Sequence, residues 1–323
     1  MANTDLPLVS ICIPTYCRHE LLRRAVDSAL AQDLGAIEIL VSDNYSEDGS
    51  WDKTKLLPEL DSRIIVRRNE RNLGWTGNLN GCIKDARGKY LVFLCDDDVL
   101  LPGMARETCE FMEAHPGAGF VHTAGYGIGL SGRRNLVSCN SAHPAVVKAG
   151  LEALNDTAFA FDILFSSVMV RAECFKKLGG FTESISSDYE MWSRISECYD
   201  VGYIPKPLIC VYAHPISPKM TVERYITEST KLSAAVLQLF PAGVRDSREI
   251  KLKSELQLSN GLRSLGLQAM DSGCWSRGIE FLRSATKYSP EYGPLRRAAD
   301  ILRAVPRRLI FAFYLSKAAK THV

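Results

Sequence analysis

Three carboxylates, Asp96, Asp97 and Asp98, follow directly on the apolar run Tyr90-Leu-Val-Phe-Leu-Cys95, with Pro102 close behind. Adjacent carboxylates at the end of a buried strand repel one another unless a cation neutralises them, and hard oxygen donors suit Mg²⁺ or Mn²⁺. An ion there could hold a diphosphate and, as a Lewis acid, stabilise the charge on a departing nucleotide. The bland alternative is an acidic, solvated cap on the helix after Pro102. Asp43 closes a second run, Ile39-Leu-Val-Ser-Asp43, and Asn44, Asp48 and Gly49 follow it. Its carboxylate could accept from a base imide or a ribose hydroxyl, or close an Asx turn. Pro14, Thr15, Tyr16 and Arg18 end a third run and offer a hydroxyl, an aromatic face and a guanidinium to base and phosphate. Asp188 lies between Gly179-Gly180-Phe181 and Tyr189-Glu190-Met191-Trp192. It fits a general base near an acceptor hydroxyl, and equally an N-cap accepting the amides that follow. His214 could add an imidazole to the same metal or diphosphate, although a lone histidine is more often structural.

Most of these residues sit where apolar runs stop, and Asp188 at a helix start, which fixes the elements that must carry them. Leu8 to Ile13, Ile37 to Val41, Ile64 to Val66, Tyr90 to Cys95 and Phe120 to Thr123 read as strands, the first ended by Pro14. Helical stripes lie between them: Leu21, Leu22, Ala25, Val26, Ala29 and Leu30, then Leu79 to Ala86 and Met104 to Ala114. Such alternation predicts an α/β fold, a mainly parallel sheet flanked by helices, with ligands at the carboxyl ends of the strands. Between Gly125 and Gly150 the periodicity fades into Gly, Ser and Asn, a loop or hairpin excursion, and order returns at Phe165 to Val170. Within that excursion Gly127, Gly129 and Gly132 match a dinucleotide fingerprint, with Glu152 downstream. No helical stripe follows to receive a pyrophosphate, so the match reads as a glycine-rich turn. No GxxxxGK[ST] loop is present. After Val211 strand signals stop, and the division expected is a catalytic domain over 1–218 and a helical region over 219–323.

Composition narrows the class. The 323 residues are 46% hydrophobic and 24% charged, enough for one large domain with an appendage. Thirty-nine Lys and Arg against thirty-seven Asp and Glu leave a formal charge of +2, which gives no sign of a nucleic-acid partner. Ten cysteines lie scattered without metal-ligand spacing, several in apolar runs, as in a reducing compartment. No stretch approaches the roughly 20 apolar residues of a membrane span, and Met1 to Pro7 lacks the features of a secretory signal. The expectation is a cytoplasmic protein. Leu295 to Lys320 mixes apolar residues with arginine and lysine, a composition that suits a peripheral contact at the inner membrane face. It suits equally a helix packed on the catalytic domain or on a second subunit.

In this order the segments resemble the family 2 glycosyltransferases, whose catalytic domain has the GT-A fold. The resemblance runs from Val9 to about His214 and leaves the helical region unexplained. Val9-Ser-Ile-Cys-Ile-Pro-Thr-Tyr-Cys-Arg18 is similar to the family's first strand and nucleotide loop, and Glu38 to Asn44 with Ser46, Asp48, Gly49 and Ser50 to its base-binding segment. Asn72-Leu-Gly74 with Asn78 resembles the donor-site loop, Phe93 to Pro102 the DxD metal motif, and Gly179 to Glu190 the segment that carries the catalytic base. Two departures stand out: Cys95 occupies the place of the motif's first Asp, and Ser187 stands where an acidic residue often precedes the base.

The resemblance implies an inverting transfer from a nucleotide sugar, by family habit a UDP-sugar, to a hydroxyl of a glycan or lipid-linked glycan. Asp188 would be the base, Asp97 would bind the metal with Asp98 in support, and Asp96 would hold the ribose. Asp43 and Thr15 would hold the nucleobase, while Gly74 and Asn78 shape the donor pocket. Two other readings use the same residues: a sugar nucleotidyltransferase, which lacks its glycine- and arginine-rich triphosphate loop here, and a non-catalytic sugar-nucleotide-binding protein.

Overall fold

The computed structural model describes residues 6–138, 145–158, 163–184 and 186–289. The basic stretch from Leu295 to Lys320 lies outside the described residues. Over the described residues the chain forms two compact units, one on Met1–Ile128, Gly132–Tyr212 and Lys231–Arg245, the other on Gly129–Ser131, Ala213–Thr230 and Asp246–Val323.

In the first unit the elements run β1 (Val9–Thr15), α1 (His19–Leu30), β2 (Ile37–Asp43), α2 (Ser50–Thr54), β3 (Ile64–Arg68), α3 (Gly74–Asp85), β4 (Tyr90–Phe93), β5 (Val99–Leu100) and α4 (Met104–Ala114). They continue as β6 (Ala118–Ile128), β7 (Arg134–Val137), β8 (Val146–Val147), α5 (Leu151–Ala158), β9 (Met169–Arg171), α6 (Ala172–Leu178), α7 (Ser187–Cys198) and β10 (Asp200–Tyr212). One sheet takes the order β3-β2-β1-β4-β9-β6-β10-β5, with β7 on β6 and β8 on β10. β3, β2, β1 and β4 are parallel, and β9 enters antiparallel between β4 and β6. This is the mostly parallel α/β architecture that the alternating pattern implies.

Every residue of β1, β2 and β4 is buried, as a parallel sheet covered on both faces requires. α1 packs Leu22, Ala25, Val26 and Ala29 on one face, in one core cluster with Ile11, Ile13 and Val41. A second cluster joins Phe93, Phe120, Phe181 and Trp192.

Several boundaries differ from the sequence reading. β1 continues through Pro14 to Thr15, because its ladder to β4 has already ended at Cys12–Phe93 and a proline there interrupts no pairing on that side. α3 begins at Gly74, ahead of the expected Leu79, since Asn72 Oδ1 accepts the Gly74 amide and Asn44 Oδ1 the Leu73 amide, each at 2.9 Å. Those polar caps nucleate a first turn whose residues are poor helix formers. The glycine-rich excursion is a hairpin of β6 and β7, and Gly127 pairs in it with Asn135.

The second unit is helical in its described part. It contains α10 (Arg248–Asp271) and α11 (Trp275–Ala285), which follow α8 (Val222–Leu237) and α9 (Ala242–Arg245). Leu262, Met270, Phe281 and Leu282 form its core. No helix among the described residues is long and apolar enough to cross a membrane.

Candidate active site

The parallel register brings Thr15 of β1 beside Asp43 of β2, and the acidic triplet leaves the end of β4 next to them. Thr15 Oγ1 donates to Asp96 Oδ2 at 2.7 Å. Arg18 Nη1 reaches Asp96 Oδ1 at 3.3 Å and Asp97 Oδ2 at 2.8 Å, so one half-exposed guanidinium holds two nearly buried carboxylates. Burial raises the Asp96 carboxyl above its ordinary range, against the pull of Thr15 and Arg18.

Asp98 is held separately. Its Oδ2 accepts from Ser166 Oγ at 2.6 Å and its Oδ1 from the Tyr212 amide at 3.2 Å. Burial pushes its carboxyl up to about 7, although Ser166 and Tyr212 oppose the rise. Donor atoms of Cys95, Asp97 and Asp98 lie within 4.8 Å of one another. The two carboxylates fit a hard divalent cation. The Cys95 thiol is a softer donor, and burial next to Asp98 keeps its proton on by raising its pKa well above the ordinary value.

Beside this loop, a cavity of about 330 Å³ is lined by Pro14, Thr15, Tyr16, Arg18, Gly74, Trp75, Asn78 and Asp96 among others. Gly74 adopts φ +73°, a left-handed turn that a side chain would strain. The Asn78 carboxamide is committed to the scaffold: its Oδ1 accepts from Ser42 Oγ and Asn69 Nδ2, and its Nδ2 donates to the Ser42 carbonyl. It thus fixes α3 on β2. Asp43 is fully buried, with Oδ2 accepting from the Ser46 amide at 3.0 Å and paired with Arg68 Nε at 3.3 Å. The first contact is the Asx-type closure that the sequence left open. Asp43 Oδ1 has no hydrogen-bond partner among the described residues.

Asp188 is the second residue of α7, and Ser186 is the N-cap residue, so the carboxylate lies inside the first turn. Desolvation pushes it up to about 6, offset in part by the amides of Tyr189 and of Asp188 itself. Two ties connect this helix start with the donor side. Asn80 of α3 exchanges a pair of 2.9 Å hydrogen bonds with the Phe181 backbone, and Arg194 of α7 donates to the Gly180 carbonyl at 2.6 Å. A Cβ on Gly180 would lie 2.2 Å from Asn80 Oδ1, which explains the glycine there. His214, the remaining candidate, belongs to the helical unit, where its carbonyl accepts from Gln268 Nε2 at 2.8 Å.

Two contributors escaped the sequence reading. Arg24 of α1 donates to the Asp97 carbonyl at 2.6 Å and stacks 3.9 Å from the Tyr212 ring. Ser166 accepts the Cys95 amide at 3.1 Å while donating to Asp98. Neither follows a motif, and both meet the acidic loop from distant parts of the chain.

A curled, mostly parallel sheet with an acidic loop and a cavity at the strand ends matches the GT-A fold of the glycosyltransferases. The family model for glycosyl transferase family 2 matches residues 10–179, and the chain belongs to that family. An uncharacterized glycosyltransferase of Rickettsia typhi is 28% identical over 245 residues, 73% of each chain. The UDP-Glc:α-D-GlcNAc-diphosphoundecaprenol β-1,3-glucosyltransferase WfaP of Escherichia coli is 36% identical over 108 residues, 33% of this chain and 42% of its own. Among solved structures, S. aureus TarS 1–349 in complex with UDP-GlcNAc superposes with a TM-score of 0.58 at 15% identity, covering 86% of this chain and 90% of that one. The mannosyltransferase PcManGT of Pyrobaculum calidifontis, in complex with GDP-Man and Mn²⁺, gives 0.53 at 16% identity over 93% and 80%.

Proposed function

We propose that this glycosyltransferase moves a hexosyl group from a nucleoside diphosphate sugar, UDP-linked, to a hydroxyl of a glycan or lipid-linked glycan, with inversion. The observation that carries the reading is the convergence of Thr15, Arg18 and Asp96 on one cavity, with Asp97 tied to it through Arg18. The buried acceptor Asp43 Oδ1 lies at the neighbouring strand end. Asp43 would accept the imide N–H of a pyrimidine base, with Thr15 beside it and Tyr16 offering a ring face. Asp96 would take the ribose hydroxyls and Arg18 would pair with the diphosphate. A divalent cation, Mn²⁺ or Mg²⁺, held by Asp97 and Asp98 would supply Lewis-acid stabilisation of the released diphosphate.

Asp188 then removes the proton from the acceptor hydroxyl as its oxygen bonds to the anomeric carbon. The bond from that carbon to the diphosphate oxygen breaks, and its electron pair leaves with the nucleotide. Attack from the face opposite the leaving group inverts the configuration. Ionised Asp188 is the competent form, and its raised pKa makes it a stronger proton acceptor than an ordinary carboxylate.

Calorimetric titration with UDP, dTDP and GDP, each with and without Mn²⁺, tests the donor class. Metal-dependent binding of UDP alone, abolished in Asp97→Ala, is the expected result; binding of none would remove the reading. The same titration with His214→Ala decides whether that imidazole belongs to the ligand set. A lipid-linked acceptor motivates a second expectation, that the protein works at the inner membrane face through its basic C-terminal stretch. Full-length protein should sediment with anionic liposomes and lose this on truncation after Pro290; failure of the full chain to sediment would sink the idea.

A further inference from the structure

We infer that Trp75 is a platform for a pyranose ring, set between the nucleotide cavity and the helix that carries Asp188. Of the four tryptophans, Trp192 is fully buried and Trp51 and Trp275 are partly covered, whereas Trp75 is 48% exposed. An exposed indole at a cavity wall invites a ligand with an apolar face. Trp75 follows Gly74 at the start of α3 and lines the cavity with Tyr16, Arg18 and Asp96. It packs on Phe165, at 5.7 Å between ring centroids with the planes tilted by 56°.

Phe165 does not move freely. It packs on Phe93 at 5.9 Å, Phe181 at 6.1 Å and Trp192 at 6.4 Å. Trp192 lies one helical turn after Asp188 on α7. The next residue, Ser166, donates to Asp98. Consecutive side chains of one 3₁₀ turn, Phe165–Ser167, therefore brace the indole and the acidic loop together. A row of packed rings leads from the cavity wall toward the base.

The chemistry of the ligand follows from what the wall lacks. In the proposed function Arg18 serves the diphosphate, Asp96 the ribose, and Asp43, Thr15 and Tyr16 the nucleobase, all polar contacts or a ring at the ends of β1, β2 and β4. An indole adds a broad apolar plane with few rotatable bonds, the complement of the C–H face of a sugar ring whose hydroxyls point outward. That ring belongs either to the donor's hexose or to the acceptor. The inference rests on the transfer reading above, and the experiment separates the two.

The test compares wild type, Trp75→Phe and Trp75→Ala in Mn²⁺ with UDP, UDP-glucose and the sugar acceptor used in a transfer assay. UDP affinity should stay within about twofold in both variants if the indole carries the sugar ring and the nucleotide is held by Arg18, Asp96 and Asp43. A hexose on the platform should cost Trp75→Ala about tenfold, with Trp75→Phe in between since a ring face remains. A loss in UDP-glucose affinity assigns the platform to the donor sugar; a raised acceptor KM with unchanged donor binding assigns it to the acceptor. Loss of UDP affinity in step with UDP-glucose would show that the indole reads the base, and no change in any constant would show an idle side chain; either overturns the proposal. Should wild type bind no nucleotide, the transfer reading fails separately. The platform is then judged by protection of Trp75 fluorescence from acrylamide by methyl glucoside, measured against Trp75→Phe, and absence of protection overturns it.

Discussion

The two carboxylate regions of the first unit are built on opposite plans. On the donor side Asp96, Asp97 and Asp98 are clamped by Thr15, Arg18, Ser166 and the Tyr212 amide, with Arg24 holding the loop carbonyl beneath them. Asp188, by contrast, is supported among the described residues by the amides of its own turn, against a desolvation cost that pushes it up to about 6. Burial raises carboxylates in both regions, Asp98 up to about 7 and Asp188 up to about 6, so the difference lies in their partners: a clamped carboxylate is fixed in place to hold a ligand, and one supported by backbone amides alone among the described residues is open to proton exchange. Under the proposed function the contrast corresponds to binding in one region and proton transfer in the other, and each variant below should split the two.

Asp188→Asn should produce the largest effect. Loss of a general base typically costs roughly 10² to 10⁴ in kcat, while the Kd for metal and nucleotide should stay at the wild-type value. A mutant that retained full transfer would move the base elsewhere; one that lost nucleotide binding would merge the two regions. Asp97→Ala should reverse the pattern, with Mn²⁺-dependent nucleotide binding lost, a fall larger than the roughly hundredfold that losing even an indirect metal partner can cost. Calorimetry with and without Mn²⁺ reads it directly.

Asp188 should also leave its own signature in stability, which Asp188→Asn isolates. Its folded pKa stands above the 3.8 of an ordinary Asp, at about 6. Between those values the native state binds more protons than the unfolded one, so stability falls as pH rises from about 4 to 6. At pH 7 the penalty is at most about 3 kcal/mol, and less with partial solvation. Asp188→Asn should therefore melt a few degrees higher than wild type at pH 7 and equal to it near pH 4. Wild-type kcat/KM should meanwhile rise through a pKa near 6 that the variant lacks. A melting curve that drops at pH 7 would mean that the carboxylate is a structural anchor.

How much of this could be read from the chain depends on whether a residue announces itself locally. Asp43 and Asp96 to Asp98 stood out as candidates because each ends an apolar run, and a parallel sheet gathers such run ends on one edge, whereas Asp188 stood out at a helix start after Gly179-Gly180-Phe181. Arg18 lies within the first such loop. The segment from Gly74 to Asn78 was legible as a motif but not as helix, because Asn44 and Asn72, which cap it, act through hydrogen bonds that spacing does not reveal. β5, β8 and β9 are too short to carry a period. Arg24 and Ser166 have no local mark at all: a lysine on α1 or an alanine before β9 would leave the pattern unchanged, and only the folded sheet brings them to the acidic loop.

Ser166 offers the smallest and most discriminating perturbation. Its hydroxyl is fully buried, accepts the Cys95 amide at 3.1 Å and donates to Asp98 at 2.6 Å. Ser166→Ala strands a buried N–H and part of a buried carboxyl, a loss of about 1–3 kcal/mol in stability, with little change in side-chain volume. If the donor region binds by being clamped, the loosened loop should raise the Kd for Mn²⁺ with nucleotide a few-fold. The pH profile set by Asp188 should not shift, because Ser166 touches the loop and not α7. A variant with altered pH dependence and unchanged donor affinity would contradict the division of labour, since the clamp would then be tuning the proton-transfer step through the packed rings of Phe165 and Trp192.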